Sequence, residues 1–164
     1  MSDRMPKILE AMDDEQGRWF ELVGTLGEFE ATRRSRDRWS PVDTLNHVTV
    51  WKQNAIEVAR LQSVPDAPRP DPSLGSYPIL GLGPDIDTYN ARRMEERFDW
   101  TLEQSRAWAE EIHDELRRAL EAVPSDRLIV PDGPHGIVGW LLLPAIEHPP
   151  EHRLRLERQL GYTP

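Results

Sequence analysis

Apolar residues recur at three- and four-residue steps through most of this chain, and four stretches hold the pattern long enough to predict helices. In the first, residues 6–26, Ile8, Leu9, Met12, Trp19, Leu22, Val23 and Leu26 line one stripe, with Lys7, Glu10, Asp14 and Glu21 between them. The second opens at Ser40-Pro41-Val42-Asp43. Ser40 suits an N-cap, Pro41 suits a first turn, and Asp43 sets negative charge at the positive end of the helix dipole. This helix runs on through Leu45, Val48, Trp51, Ala55, Val58 and Ala59 to about Gln62. A third region, residues 85–121, divides in two. Ile86, Tyr89, Met94 and Phe98 mark its first piece. The second piece opens at Asp99-Trp100-Thr101, where Thr101 and Gln104 have capping-box spacing. It continues through Ala109, Ile112, Leu116, Ala119, Leu120 and Val123 to Pro124, so a break is expected near Asp99. The last helix covers part of residues 140–160, with Gly161 placed for its C-cap.

The connections have their own chemistry. Residues 27–38 read as a solvated link whose Arg33, Arg34, Arg36 and Arg38 could equally hold an anion. Residues 63–84 hold six of the 15 prolines, a density that no helix or interior strand tolerates. Such stretches are commonly lids or binding loops, and Leu74, Tyr77, Ile79, Leu80 and Leu82 predict one packed onto the body. Residues 124–139 form another Pro/Gly-rich link, with a short extended piece at 128–130 at best. Four long helical segments with almost no strand pattern predict an all-α fold, a four-helix bundle, formed as one domain over residues 1–164.

Charge and composition narrow the function classes. With 29 acidic and 20 basic side chains the net charge is −9, which argues against a nucleic acid partner. No apolar run approaches the roughly 18–20 residues of a membrane span, and the opening MSDRMPKILE is too polar for a signal peptide. The expectation is a cytoplasmic protein with no membrane partner. There is no cysteine, which excludes disulfides, thiolate-ligated zinc, iron–sulfur clusters and a cysteine nucleophile.

That leaves the five histidines as the chemical constellation. In His148-Pro149-Pro150-Glu151-His152 two imidazoles stand at i, i+4, on one face of a helix. Two neutral imidazoles at that spacing make a good start on a divalent metal site. His47 lies on the edge of the second helix's apolar stripe, in line with Asp43, Trp51 and Asn54. Three histidines from two helices, with a coordination position left open, would make a catalytic type of centre. The blander reading is that a lone histidine beside an apolar face is packed and hydrogen-bonded. His113, flanking Leu116 and Leu120, reads that way, and His135 sits in a Gly-Pro-His-Gly loop that could reach a pocket. The five residues also spell H-x-x-E-H, the inverted zinc-peptidase pattern with Glu151 as base. That motif needs a third ligand far downstream, and only 12 residues follow His152.

Three stretches, in order, carry a family likeness: Trp39-Ser40-Pro41-Val42-Asp43-Thr44-Leu45-Asn46-His47-Val48 followed by Trp51; Tyr89-Asn90-Ala91 leading to Asp99-Trp100-Thr101-Leu102-Glu103; and Glu147-His148-Pro149-Pro150-Glu151-His152-Arg153. Over residues 7–160 the chain resembles the DinB superfamily of small bacterial four-helix proteins, and more narrowly its ClbS/DfsB-like branch. The resemblance implies an up-down-down-up bundle with a long crossing connection and a divalent metal, zinc or nickel, on His47, His148 and His152. Relatives include thiol-dependent transferases and isomerases that use mycothiol or bacillithiol, and hydrolases of reactive small molecules. The implied metal would lower the pKa of a cosubstrate thiol or of water. A small-molecule substrate, with a low-molecular-weight thiol as partner, is the expectation that follows. One departure is Pro149-Pro150 between the two histidines. A helix running through would lose two hydrogen bonds there, and a helix starting at the prolines would leave His148 outside it. Two rival readings stand beside the metal enzyme. One is a non-catalytic small-molecule binder whose pocket is lined by Trp39, Trp51, Trp100, Trp108, Trp140 and the 63–84 loop. The other is an interaction protein working through a homodimer face.

Overall fold

Two of the long helices begin where their capping residues, Ser40 and Thr101, put them. In the computed structural model, which describes residues 4–36, 38–64, 66, 86–128 and 143–162, there are six α-helices and no strand among those residues. They are α1 (Arg4–Gly24), α2 (Glu28–Thr32), α3 (Pro41–Ser63), α4 (Ile86–Glu95), α5 (Leu102–Glu121) and α6 (His148–Gln159). The all-α bundle fold is therefore as the periodicity predicts. Ser40 Oγ accepts the Asp43 N–H at 3.0 Å, and Asp43 Oδ2 accepts the Ser40 N–H at 2.9 Å, closing a box at the start of α3. Thr101 and Gln104 do the same for α5 at 3.1 and 2.9 Å, so the break near Asp99 is real. At the far end Gly161 takes φ 81°, and its N–H reaches Arg158 O while Tyr162 N–H reaches Glu157 O. This pair of bonds is a Schellman stop, open to glycine because it lacks a Cβ.

The prolines of the histidine motif resolve differently from both expected outcomes. The turn before α6, Leu143–Glu147, is π-helical, and α6 starts at His148 itself. Pro149 and Pro150 thus fall in the first turn, where N–H groups have no intrahelical acceptor and their absence is harmless. His148 belongs to the helix and keeps its one-turn spacing to His152.

Helix α3 is the axis of the bundle. Residues 41–52 are all buried, including Thr44, Asn46, His47, Thr49 and Lys52. A helix enclosed on every side, rather than the one-sided stripe that the periodicity predicts, follows from its being packed by α2, α4, α5, α6 and the Leu143–Glu147 turn together. The apolar core falls into two clusters. One gathers Leu9, Met12, Val50, Ile56, Leu116 and Leu120. The other gathers Trp19, Leu22, Val23, Leu45, Val48, Ala109 and Leu156. Each fully buried leucine or valine contributes about 1.5–3 kcal/mol.

The 27–38 segment is more structured than a solvated link. It contains α2, buries Ala31, and sends Arg34 onto Asp43 through two bonds of 2.7 and 2.6 Å and onto Phe98 O at 2.6 Å. Asp43 is buried, so a bidentate guanidinium is what lets a carboxylate sit there. The predicted 63–84 loop beyond Val64 and Asp66, the extended piece beyond Leu128, His135 and Trp140 lie outside the described residues. No helix among the described residues is long and apolar enough to cross a membrane.

Candidate metal centre

His47 stands in the second turn of α3, buried, with its ring facing the start of α6. Two contacts from α1 fix that start. Trp19 Nε1–H donates to the Pro149 carbonyl at 3.1 Å. One turn on, Arg153 grips Glu15 with two bonds of 2.6 and 3.2 Å, both partners buried. A proline carbonyl and a paired arginine thus lock the face that carries His148 and His152 against the bundle.

The three imidazoles meet. Ring centroids lie 4.9 Å apart for His47 and His148, 4.8 Å for His47 and His152, and 4.4 Å for His148 and His152. One nitrogen from each ring lies within 4.8 Å of the others. His47 Nε2 and His148 Nε2 are 3.1 Å apart. Among the described residues no carbonyl or carboxylate bonds to these rings, and the buried His148 Nδ1 has no partner.

Burial is the first cause that lowers all three pKa values: His47 to about 2, His148 to about 3, and His152 in the same direction. The mutual repulsion of the rings and the charge of Arg155 add to it for His47 and His148. For His152 the addition comes from Arg155, against Glu151. The imidazoles are therefore neutral through the physiological range, with lone pairs free to bind a cation. Trp39 packs on His47 at 4.7 Å, and Trp51 lies edge-on to His47 and His148 at 6.5 and 6.1 Å. Trp51, which is buried, closes the centre on one side. On the other a cleft of about 220 Å³, lined by Trp39, Thr44, His152, Arg155 and Leu156, opens to solvent.

The donor set fits a divalent cation. Metal–nitrogen bonds of about 2.0–2.1 Å place neighbouring ligand nitrogens about 3–3.4 Å apart, and the His47 and His148 nitrogens already stand in that range. Glu151 is exposed and bonded to Arg155 at 2.9 Å, so the peptidase reading of the motif has no base at the centre. Nor do the described tryptophans gather into one pocket. Trp100 and Trp108 pair with each other at 5.5 Å, with Arg97 over Trp108 at 4.1 Å.

A second polar cluster went unseen in the sequence. Lys52, buried, donates to Gln16 Oε1 at 2.8 Å and to His113 Nδ1 at 3.5 Å. That leaves the His113 proton on Nε2, facing Asp13 Oδ1 at 2.8 Å. Asp13 also accepts from Arg117 at 3.1 Å. Burial lowers the Lys52 pKa to about 8, against the pull of Glu15 and Asp13. His113 is thus packed and bonded, as its neighbours Leu116 and Leu120 predict. The buried lysine beside it had no local signal, since Lys52 sits between Trp51 and Gln53 like any surface residue.

The family model of the DinB superfamily matches residues 2–155. No curated protein and no solved structure matches the chain.

Proposed function

Since the chain belongs to the DinB superfamily, whose members are metal-binding, we propose that it is a metal-dependent enzyme acting on a small reactive molecule, by hydrolysis or by thiol S-transfer. The observation that carries this reading is the convergence of His47, His148 and His152, with their nitrogens turned toward one another and away from protein acceptors. These three side chains would hold the ion, zinc or nickel. When bound, it lowers the pKa of a water or thiol so that a nucleophile exists at neutral pH.

The chain's own residues supply the rest. Burial keeps the imidazoles unprotonated. Buried Trp51 excludes water from one side, which strengthens every charge interaction inside. Arg155 places a positive charge near all three rings and so favours an anionic nucleophile there. The absence of cysteine means that any thiol arrives with the substrate or as a cosubstrate. The ClbS/DfsB-like branch, a cytoplasmic setting and a homodimer belong to the same reading.

Elemental analysis of protein purified without a nickel column tests it. About one equivalent of zinc or nickel is expected, together with a thermal stabilisation by added Zn²⁺ that His47→Ala removes. No bound metal, and the same Zn²⁺ response in His47→Ala, would leave the cluster a packing feature and favour the small-molecule binder instead.

A further inference from the structure

We propose that the substrate of this centre carries a carboxylate, received by Arg38 and Arg155 in a groove that leads away from His152. The inference rests on the metal-centre reading for what happens at the histidines, and on the groove for which molecules are admitted.

The cleft of about 220 Å³ at His152 adjoins a second hollow of about 370 Å³, and the two share Arg38, Trp39, Leu156 and Gln159 as walls. They form one groove. Among the described residues its charged side chains are Arg155 in the first hollow, Arg38 in both, and Arg33 and Glu30 in the second. Three arginines against one glutamate reverse the balance of a chain with net charge −9. That glutamate already accepts a bond from the Gly27 N–H at 3.4 Å.

The arginines of the 27–38 segment divide by role. Arg34 is consumed by Asp43 and Phe98 O. Arg38 has no ion pair among the described residues, and its neighbour Trp39 is the residue that packs on His47. Arg155 has one carboxylate partner, exposed Glu151, and its field already reaches the three histidines. A guanidinium fork binds a planar carboxylate through two bonds. The cations are strung along the groove rather than gathered at one point, which suits a single negative charge better than a dianion. Between them Trp39 and Leu156 offer apolar surface. The ligand these features describe is a small molecule with an apolar body, its reacting end at His152 and its acid group at Arg38.

Phenylacetate and its uncharged amide, phenylacetamide, test this by NMR titration of the full chain, zinc-loaded and after metal removal. The acid is expected to bind about tenfold more tightly than the amide, the worth of one charge-assisted hydrogen-bonded pair. Its shifts should centre on the Trp39 indole and the Arg38 guanidinium, and the advantage should shrink as salt rises. Arg38→Gln should lose most of the advantage, and Arg38→Gln with Arg155→Gln all of it, while binding of the amide persists and shows that the groove is intact. Equal affinities of acid and amide for the metal-free protein would overturn the proposal, as would an undiminished acid preference in the double variant. Failure to bind zinc with the acid preference intact would bring down the metal-centre reading alone. Zinc bound with no acid preference would bring down the carboxylate alone.

Discussion

Two buried histidine clusters lie along α3, and they differ in where their nitrogens point. His47 shares its Nε2 with another imidazole, and around it the chain supplies aromatic rings. His113 has both nitrogens committed to protein groups, Lys52 on one side and Asp13 on the other. Burial heads the causes that lower the pKa in both places, so a lowered pKa does not separate function from packing. The hydrogen-bond ledger does. A buried polar atom in a structural network finds a protein partner, because leaving it bare costs about 1–3 kcal/mol. A set of lone pairs facing each other, with no protein acceptor between them, is the pattern of a site that an external ion completes.

The largest expected effect tests that distinction. At a thousandfold excess over its Kd, zinc should raise the unfolding free energy by about 4 kcal/mol. His47→Ala should abolish this, whereas His113→Ala should lower stability in the absence of zinc and keep the zinc increment whole, both read from urea denaturation with and without Zn²⁺. In the metal-free protein the same cluster sets acid sensitivity. The unfolded chain takes up protons at the ordinary histidine value of 6.5, and folded His47 and His148 only near 2 and 3. Across that window the unfolded state binds more protons. Stability is therefore complete above pH 6.5 and falls as pH drops toward 3, with a slope that His47→Ala should flatten. Equal zinc responses in the two variants would erase the contrast between the clusters.

The two clusters were also unequally legible. The i, i+4 spacing of His148 and His152 is local, and so are the caps at Ser40, Thr101 and Gly161; each is decided by residues within one turn. His47 could be added because its place beside Trp51 on the second helix repeats a family order. The π-turn at Leu143–Glu147 could not be read, although Pro149 and Pro150 flagged that something there departs from a plain helix. The Lys52 network was hidden for a different reason. Its members come from α1, α3 and α5, and the Glu15 and Arg153 pair that flanks it joins residues 138 apart. Whether a lysine in α3 is buried depends on how many helices surround α3, which periodicity within one helix does not record. The groove of Arg38 and Arg155 is nonlocal in the same way.

The next effect concerns that network. Lys52 titrates at the ordinary 10.5 when unfolded and near 8 when folded, so between these values the unfolded state binds more protons and stability rises with pH. A shift of that size is worth on the order of 3 kcal/mol. Lys52→Met should erase the rise between pH 8 and 10.5. At pH 7 the variant should be close to the parent, because removing the desolvation penalty offsets the donor lost to Gln16 and His113, about 1–3 kcal/mol. Above pH 10 it should be the less stable of the two. Denaturation midpoints at pH 7 and 10 separate these outcomes, and an unchanged slope in Lys52→Met would mean that another group carries the pH dependence. Zinc binding should be untouched, which is the mirror image of the His47→Ala result.

The smallest expected effect asks whether the clusters are independent at all, since one helix carries both. Ser40→Ala removes the side-chain acceptor for the Asp43 N–H and should cost about 1 kcal/mol. The loss acts on the first turn of α3, which the Arg34 and Asp43 ion pair still tethers. His47 stands in the next turn and Lys52 in the fourth. Fraying there should speed amide exchange at Asp43 and Thr44, weaken zinc binding by less than about tenfold, given the whole cap's worth of about 1 kcal/mol, and leave the Lys52 window between pH 8 and 10.5 where it was. A shift of the Lys52 titration along with the zinc affinity would show instead that α3 transmits a change at its start through its whole length. The metal cluster and the lysine network would then be two ends of one cooperative unit, differing in their partners and not in their stability.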